Sequence, residues 1–318
     1  MKTVTLYNPA IASGNLGDQI IVDSIKKSLQ HYLSDAYIIE MPTHTPLYSR
    51  LSHYLGTSDL NLVCGSNLLV GHLNAFIHTR QWDLTLSTLH ILKPAILIGV
   101  GTQKSSQKFN LYTKLAYKKI LSHDYIHSVR DSRTERALRS IGITNVINTG
   151  CPTMWTLSEQ HCKEIPEQKA EQVIFTLTDY EKNFQRDKFL LHTLKSEYKK
   201  IYFWAQGSRD YDYFISLKEK IGVNIISPNL SAYDDLLINQ EIDYVGTRLH
   251  GGIRALQKKR RCIIIGLDNR SYELKKDFNL PVLMQDDISY LPQMINSKIA
   301  TRIKIPDKHI AEFLSQFK

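Results

Sequence analysis

Residues 243–251 read DYVGTRLHG, a short apolar stretch that ends in a glycine and is followed by an arginine and a histidine two positions apart. The next run, Ile253 to Gln257, alternates apolar and basic residues and predicts a helix. Arg248 and His250 therefore stand where a strand gives way to a helix. A guanidinium holds an oxyanion in a fixed fork, and an imidazole moves protons near neutral pH. The segment predicts chemistry on an anionic substrate.

The same change from a short β-branched strand to a longer helical pattern recurs along the chain. This alternation predicts parallel sheets covered by helices on both faces. The strands predicted in this way are residues 3–7, 37–41, 60–64, 95–98, 125–129 and 146–148 in the first half, and 173–177, 201–204, 223–226, 243–245 and 262–265 in the second.

A polar stretch at residues 151–170 interrupts the alternation and predicts a linker. We therefore expect an N-terminal Rossmann-like domain at 1–160 and a C-terminal one at 161–305. Residues 306–318 have an amphipathic pattern, and we expect a terminal helix that packs back on the first domain. A length of 318 residues with 42% hydrophobic content supports two cores of ordinary size.

The balance of 40 Lys and Arg against 31 Asp and Glu gives a net charge of +9. Such a charge suits nucleic acid, anionic small molecules or an anionic membrane face. The basic run at 258–261 lacks interleaved aromatic residues, so we expect no nucleic-acid partner and favour a solvated helix end. The four cysteines are scattered without a CxxC pair, and no signal-peptide pattern follows the start. We expect a cytoplasmic protein.

Three further segments are candidates for ligand contact, each with a structural alternative. The loop Ser13 to Asp18 either offers backbone amides to an anion or is a tight turn with Asp18 as the helix cap. Gly99–Gly101 is either a strand-to-helix turn or part of a ligand loop. Arg130 either points into a crevice or forms an ion pair with Asp131 that fixes the turn.

Two other interpretations concern charged residues. A structural role for Arg248 and His250 stays open, and a metal site at Asp210 and Asp212 is disfavoured. Arg248 could pair with Asp243 and His250 could be a buried structural histidine, although the small Gly251 leaves room for a ligand. Asp210 and Asp212 have the spacing of a metal-binding pair. They stand at a predicted helix start, where residues two apart point in different directions, so we expect no metal site.

Taken together, these segments resemble the polysaccharide pyruvyl transferase family. The resemblance rests on order and spacing over nearly the whole chain, with RLHG after a strand the most diagnostic part. One departure is the segment CGSN at 64–67, where the family has a glycine run after the third strand. The matching segments are residues 14–18, 99–101, 129–131, 247–251 and 262–268.

The resemblance implies a GT-B-like α/β fold in which two Rossmann-like, doubly wound domains face a cleft, with the acceptor on the first domain and the donor on the second. It implies phosphoenolpyruvate as the donor, with no cofactor and no metal. The acceptor is a sugar of a surface polysaccharide or of its lipid-linked precursor, and the product is a pyruvate ketal. A lipid-linked acceptor also implies peripheral contact with an anionic membrane at its inner face.

The resemblance assigns expected roles to individual residues. His250 is the expected general acid or base, and Asp18 orients the acceptor or takes its proton. Arg248 and Arg130 supply the cations for the donor. The expected substrate contacts are completed by Asn15, Gly17, Asn67, Gly101 and Gly251. The alternatives are a GT-B-type glycosyltransferase with a nucleotide-sugar donor and a non-catalytic anion- or lipid-binding protein.

Overall fold

A computed structural model describes residues 2–45, 57–77, 82–103 and 108–317. The chain divides into two compact units. The first comprises Met1–Ser13, Ile21–Trp155 and Pro306–Lys318, and the second comprises Gly14–Ile20 and Thr156–Ile305. The C-terminal residues thus group with the first unit. Residues 14–20 and 156–160, which the sequence assigns to the first domain, group with the second.

The described elements alternate between strands and helices, as the sequence pattern predicts. The strands are β1 (Lys2–Asn8), β2 (Ala36–Pro42), β3 (Leu60–Cys64), β4 (Ile96–Ile98), β5 (His127–Val129), β6 (Val146–Asn148), β7 (Gln172–Thr176), β8 (Lys200–Trp204), β9 (Val223–Ile226), β10 (Ile242–Gly246), β11 (Cys262–Gly266) and β12 (Val282–Met284). The helices are α1 (Leu16–Ser28), α2 (Gln30–Leu33), α3 (Leu86–Ile91), α4 (Leu111–Ile120), α5 (Ser132–Arg139), α6 (Glu159–Lys163), α7 (Phe184–Glu197), α8 (Asp210–Ser216), α9 (Leu230–Asn239), α10 (Leu249–Gln257), α11 (Asn269–Phe278), α12 (Leu291–Asn296) and α13 (Asp307–Ser315).

The first unit contains a parallel sheet of order β2-β1-β3-β4 and a parallel pair, β5-β6. A parallel bridge between Val100 and Val129 links the end of β4 to β5. The strand order is therefore 2-1-3-4-5-6, with a switch point between β1 and β3. Every residue of β3 is buried, as expected for a parallel strand covered on both faces.

The second unit contains one six-stranded parallel sheet of order β12-β11-β10-β7-β8-β9. Numbered within the unit, this is the order 3-2-1-4-5-6 of the dinucleotide-binding fold, and its direction of winding reverses between β7 and β10. Gly246 pairs with Thr176 at the carboxyl end of these two strands. Ligands of such sheets bind outside the carboxyl ends at the switch point, which is where Arg248 and His250 follow β10.

Side chains cap several helices at the points where the sequence changes from strand to helix. Asp131 accepts a hydrogen bond of 2.7 Å from the Thr134 backbone N–H and so caps the start of α5. Asn110, Asn183 and Asn229 cap their helices in the same way. A cap of this kind contributes about 1 kcal/mol.

The C-terminal helix α13 packs within the first unit. The Phe313 ring lies 6.1 Å from the Trp155 ring, and the Gln316 amide donates to the Ile126 carbonyl at 3.1 Å. In the described part of the chain, no helix has both the length and the apolar character needed to cross a membrane.

Candidate functional site

Arg248 is the residue between β10 and α10, and its guanidinium is held by two carboxylates. Its Nε donates to Asp210 at 2.8 Å and its Nη2 donates to Asp179 at 2.9 Å. A further contact joins Nη2 to the other oxygen of Asp210. Asp179 follows β7 and Asp210 begins α8, so Arg248 ties together three segments at the carboxyl edge of the second sheet. The alternative pairing of Arg248 with Asp243 is wrong.

The Arg248–Asp210 pair is buried, since Arg248 is 4% exposed and Asp210 is inaccessible to solvent. Burial raises the pKa of Asp210 above its usual range, and the hydrogen bonds from Arg248 oppose that rise. Burial lowers the pKa of Arg248, but the hydrogen bonds that it donates to Asp210 outweigh this effect and the net pKa is raised. Asp210 also accepts from the Gly207 backbone N–H at 2.7 Å, which leaves the carboxylate well satisfied.

The outer side of Arg248 keeps part of its binding capacity. Its Cζ lies 5.0 Å from the centre of the half-exposed Tyr180 ring, a cation–π distance. Among the residues that the structure describes, Nη1 has no hydrogen-bond partner. Arg248 is therefore a rigid fork with one face occupied by carboxylates and one nitrogen available to an oxyanion.

The Asn15–Gly17 loop is pinned to the second unit although it follows the first strand of the chain. The Leu16 N–H donates to the Gln206 carbonyl at 2.9 Å, and the Ser208 N–H donates to the Gly14 carbonyl at 2.8 Å. Asn15 Oδ1 accepts from the Gly17 N–H at 3.1 Å and from the Gln206 side-chain amide at 2.9 Å. Helix α1 begins at Leu16, so Asp18 lies in its first turn and is not its cap.

Gln206 is a site residue that the sequence analysis missed. Its side chain spans from the Asn15–Gly17 loop, through Nε2, to Gly251, where an added Cβ would lie 3.1 Å from Oε1. Oε1 is buried and has no hydrogen-bond partner among the residues that the structure describes. The sequence places Gln206 just after a predicted strand, at the carboxyl edge of the sheet. Many residues share this position, so it does not single out Gln206.

His250 and Asp18 are both buried polar residues of the second unit, at 5% and 7% exposure. His250 is the second residue of α10 and Asp18 lies in the first turn of α1. Gly251 follows His250 and faces both Gln206 Oε1 and the Tyr244 hydroxyl. The second unit thus brings together Arg248, His250 and Gly251 with the segment that contains Asn15, Gly17 and Asp18.

Arg130, Asn67 and Gly101 form a separate cluster in the first unit. Arg130 Nη2 contacts Asn67 Oδ1. A Cβ on Gly101 would lie 2.2 Å from Arg130 Nε, so any other residue there would displace the Arg130 guanidinium. The Arg130–Asp131 contact, at 3.4 Å, is long for an ion pair. These residues follow β3, β4 and β5, and they gather at the carboxyl ends of the first sheet.

Other polar motifs have structural partners. Asp210 is buried against Arg248 whereas Asp212 is exposed, so the pair does not converge. Arg261 is almost fully buried and donates to Asp243 at 2.7 Å. The rest of the basic run is engaged as well. Lys258 pairs with Asp234, Lys259 pairs with Glu164 and Arg260 donates to the Leu237 carbonyl at the end of α9.

Comparison with solved structures shows what the fold is similar to. UDP-GlcNAc 2-epimerase from Methanocaldococcus jannaschii, in complex with UDP-GlcNAc and UDP, matches with a TM-score of 0.56 at 14% identity, over 99% of this chain and 100% of the epimerase. MnaA from S. aureus, in a co-structure with UDP, matches with a TM-score of 0.55 at 12% identity, over 99% of this chain and 97% of MnaA. At these identities the likeness is one of fold, and it confirms the predicted GT-B-like class with two Rossmann-like domains.

Comparison at the sequence level gives a narrower result. No curated protein matches the chain significantly. The profile of the family described as polysaccharide pyruvyl transferase matches residues 15–269.

Proposed function

Because this chain belongs to the polysaccharide pyruvyl transferase family, we propose that it moves the enolpyruvyl group of phosphoenolpyruvate onto a sugar and forms a pyruvate ketal. The acceptor is a sugar of a surface polysaccharide or of its lipid-linked precursor. The observation that carries the proposal is the position of Arg248 and His250. Both follow β10 at the switch point of the second sheet, inside the segment that the family profile matches.

The proposed reaction needs one proton donor and one proton acceptor. Protonation of the donor's methylene carbon turns it into a methyl group and makes C2 electrophilic. A sugar hydroxyl then attacks C2 and loses its proton. A second hydroxyl attacks the same carbon, and the C2–O bond to phosphate breaks. The products are a ketal and inorganic phosphate, and the second hydroxyl's proton leaves with the phosphate.

His250 is proposed as the acid that protonates the methylene carbon, and Asp18 as the base that takes the hydroxyl proton. The burial of both residues supports these roles, because a water-poor setting strengthens interactions with developing charge. General acid–base catalysis of this kind contributes typically ~10²–10⁴-fold. A Cβ on Gly251, next to His250, would lie 3.1 Å from Gln206 Oε1 and 3.2 Å from the Tyr244 hydroxyl, so glycine here lets these two side chains approach α10.

Arg248 is proposed to bind the donor's phosphate or carboxylate through Nη1, while Asp210 and Asp179 keep its guanidinium oriented. An arginine whose position is already fixed loses little entropy on binding. The Leu16, Gly17 and Asp18 N–H groups of the Asn15–Gly17 segment already donate within the protein, so the proposed donor site does not use them. Arg130, with Asn67 and Gly101, is proposed as a second substrate-binding cluster, in the first unit.

The decisive experiment is incubation of the protein with phosphoenolpyruvate and a panel of synthetic or lipid-linked sugars. We expect one phosphate released per ketal formed, with the mass of the acceptor raised by that of pyruvic acid less one water. His250→Ala should lower turnover by at least ~10²-fold, whereas His192→Ala, at an exposed histidine of the same unit, should not. Near-normal turnover in His250→Ala would remove the proposed acid.

The same preparation distinguishes the nucleotide-sugar alternative. If the protein is a glycosyltransferase, UDP should raise its melting temperature and phosphoenolpyruvate should not, because only a ligand of the folded state stabilises it. Hydrolysis of a nucleotide sugar without phosphate release from phosphoenolpyruvate would favour that alternative. If neither ligand shifts the melting temperature and no acceptor is modified, a non-catalytic role is favoured.

A further inference from the structure

The first unit carries a group of large apolar side chains that point into solvent. Phe76 is 81% exposed, Leu111 is 73% exposed, and Ile77, Leu115 and Leu86 are all more than half exposed. Single exposed apolar residues are ordinary, but a contiguous patch indicates an interaction surface. The question is whether these five residues lie together.

Hydrogen bonds place their three segments side by side. The loop before Phe76 runs along the start of α4, since the Leu73 N–H donates to Thr113 Oγ1 at 2.9 Å and the Asn110 amide donates to the Leu73 carbonyl at 3.0 Å. The start of α3 joins the same loop, because the Leu86 N–H donates to the Ala75 carbonyl at 2.9 Å. The three segments are therefore neighbours, and we call the five exposed apolar side chains that they carry the α4 face.

The loop that presents Phe76 and Ile77 has a defined conformation. Asn74 Oδ1 accepts from the Phe76 N–H at 2.9 Å and from the Ile77 N–H at 3.1 Å. On α4 itself, Leu111 and Leu115 are four residues apart, and residues at this spacing share one side of a helix. The buried residues of α4, among them Thr113 and Tyr117, pack into the core instead.

Exposed lysines lie on α4 and just before it, close in sequence to Leu111 and Leu115. Lys108, Lys114, Lys118 and Lys119 are exposed, and none of them forms an ion pair with any residue that the structure describes. Across residues 71–122 the sequence has seven Lys and Arg against a single acidic residue, Asp83, and Asp83 is buried. This segment thus holds a net charge of +6 out of +9 for the chain.

We propose that the α4 face docks on an anionic lipid bilayer, with its apolar side chains in the interfacial region and its lysines at the head groups. An exposed helix face that combines leucines with lysines has the chemistry of an interfacial surface. Exposed lysines attract an anionic leaflet, and the one acidic residue of segment 71–122, Asp83, is buried and adds little opposing repulsion. A nucleic acid fits less well, because four of the five apolar residues are aliphatic and offer no ring for base stacking. The inference does not depend on the reaction proposed above.

The test is co-sedimentation of the full chain with vesicles of phosphatidylcholine alone or mixed with phosphatidylglycerol. We expect binding to the mixed vesicles that weakens as salt is raised. The variant Lys114→Glu/Lys118→Glu should weaken binding by more than tenfold, since each lysine near such a surface contributes about fivefold. Leu111→Ser/Leu115→Ser should do the same at unchanged charge.

Matched control variants stand in the second unit. Ile221→Ser changes an apolar side chain that is 89% exposed, and Lys298→Glu changes an exposed lysine; neither should alter vesicle binding. Circular dichroism of each variant checks that the fold is retained. Failure of the unaltered protein to bind mixed vesicles overturns the proposal, as does an equal loss in the controls. A concentration-dependent dimer that Leu111→Ser/Leu115→Ser dissociates, without vesicle binding, would assign the face to a second copy of the chain instead.

Discussion

At the scale of single residues, Arg248 is more constrained than its sequence neighbours indicate. The sequence predicts a cation at a strand end and leaves its partner open. In the structure Asp210, which lies 38 positions earlier, holds the guanidinium. An intact buried ion pair of this kind adds little net stability, because the loss of hydration offsets the attraction. Removal of one partner is strongly destabilising, because the other charge stays buried. Arg248 therefore has a structural role in addition to the proposed contact with the donor.

Replacement of Arg248 should consequently affect stability as well as activity. Arg248→Ala leaves Asp210 buried without its partner, and we expect a loss of roughly 3–5 kcal/mol in the free energy of unfolding. Asp210→Asn in the same chain should restore part of that loss, because a neutral amide tolerates burial better. Urea unfolding measures both variants.

Arg209→Ala is the control, since Arg209 is the exposed neighbour of Asp210 in sequence. If Arg248→Ala is as stable as the unaltered protein, the pair does not have the structural role described here. If the double variant regains stability but not pyruvyl transfer, the two roles of Arg248 are separated.

Replacement of Gln206 should affect activity but have little effect on stability. Its Oε1 is buried without a partner in the described part of the chain, which costs about 1–3 kcal/mol, and its Nε2 makes one hydrogen bond to Asn15, which contributes about 1 kcal/mol. For Gln206→Leu we therefore expect stability within about 1 kcal/mol of the unaltered chain. Because the Asn15–Gly17 loop loses its amide anchor, pyruvyl transfer should fall by at least ~10-fold. A large loss of stability, or unchanged transfer, would contradict a positioning role.

At the scale of secondary structure, the strands end where polar or glycine residues follow apolar runs. The sequence therefore predicts the ends of these strands closely. Strand β7 was predicted within one residue of its observed bounds, and β10 was predicted as a shorter segment inside the observed strand. Helix α1 shows the limit of such prediction. Asp18 is a good capping residue by type, but the backbone enters the helix earlier because Asn15 accepts the Gly17 N–H.

His127 shows how a buried residue of β5 ties strands together. The Leu97 N–H of the β4 strand donates to its Nδ1 at 3.2 Å, and its Nε2 donates to the Ser122 carbonyl at 2.9 Å. This arrangement uses the neutral imidazole. Burial lowers the pKa of His127 from 6.5 to about 4, because the charged form is poorly solvated there.

The lowered pKa predicts a pH dependence of stability. The unfolded chain takes up a proton on His127 near pH 6.5, whereas the folded protein does so only near pH 4. Stability present above pH 6.5 should therefore be lost as the pH falls toward 4, by up to about 3 kcal/mol. Urea unfolding between these pH values measures the slope. His127→Gln should flatten it and His90→Gln, at an exposed histidine, should not; equal slopes in all three proteins would be inconsistent with this origin.

At the scale of the whole molecule, the chain does not divide at one point in sequence. Residues Gly14–Ile20 group with the second unit and Pro306–Lys318 with the first. Sequence alone predicts a linker near residue 151 but does not show that a loop after β1 pairs with Gly207 after β8. Such a pairing joins positions almost 200 residues apart, and no local pattern encodes it.

The sequence by itself determined the α/β class, eleven of the twelve described strands, the family and the location of Arg248 and His250 at a strand end, but it missed β12. These properties depend on hydrophobic periodicity and on residue types at short spacing, which are local. The tertiary structure alone decided that Asp210 and Asp179 hold Arg248, that Gln206 joins the Asn15–Gly17 loop to Gly251, and that apolar and basic residues from three segments share the α4 face. Each of these depends on burial and on contacts between distant segments, which arise only when the sheets assemble.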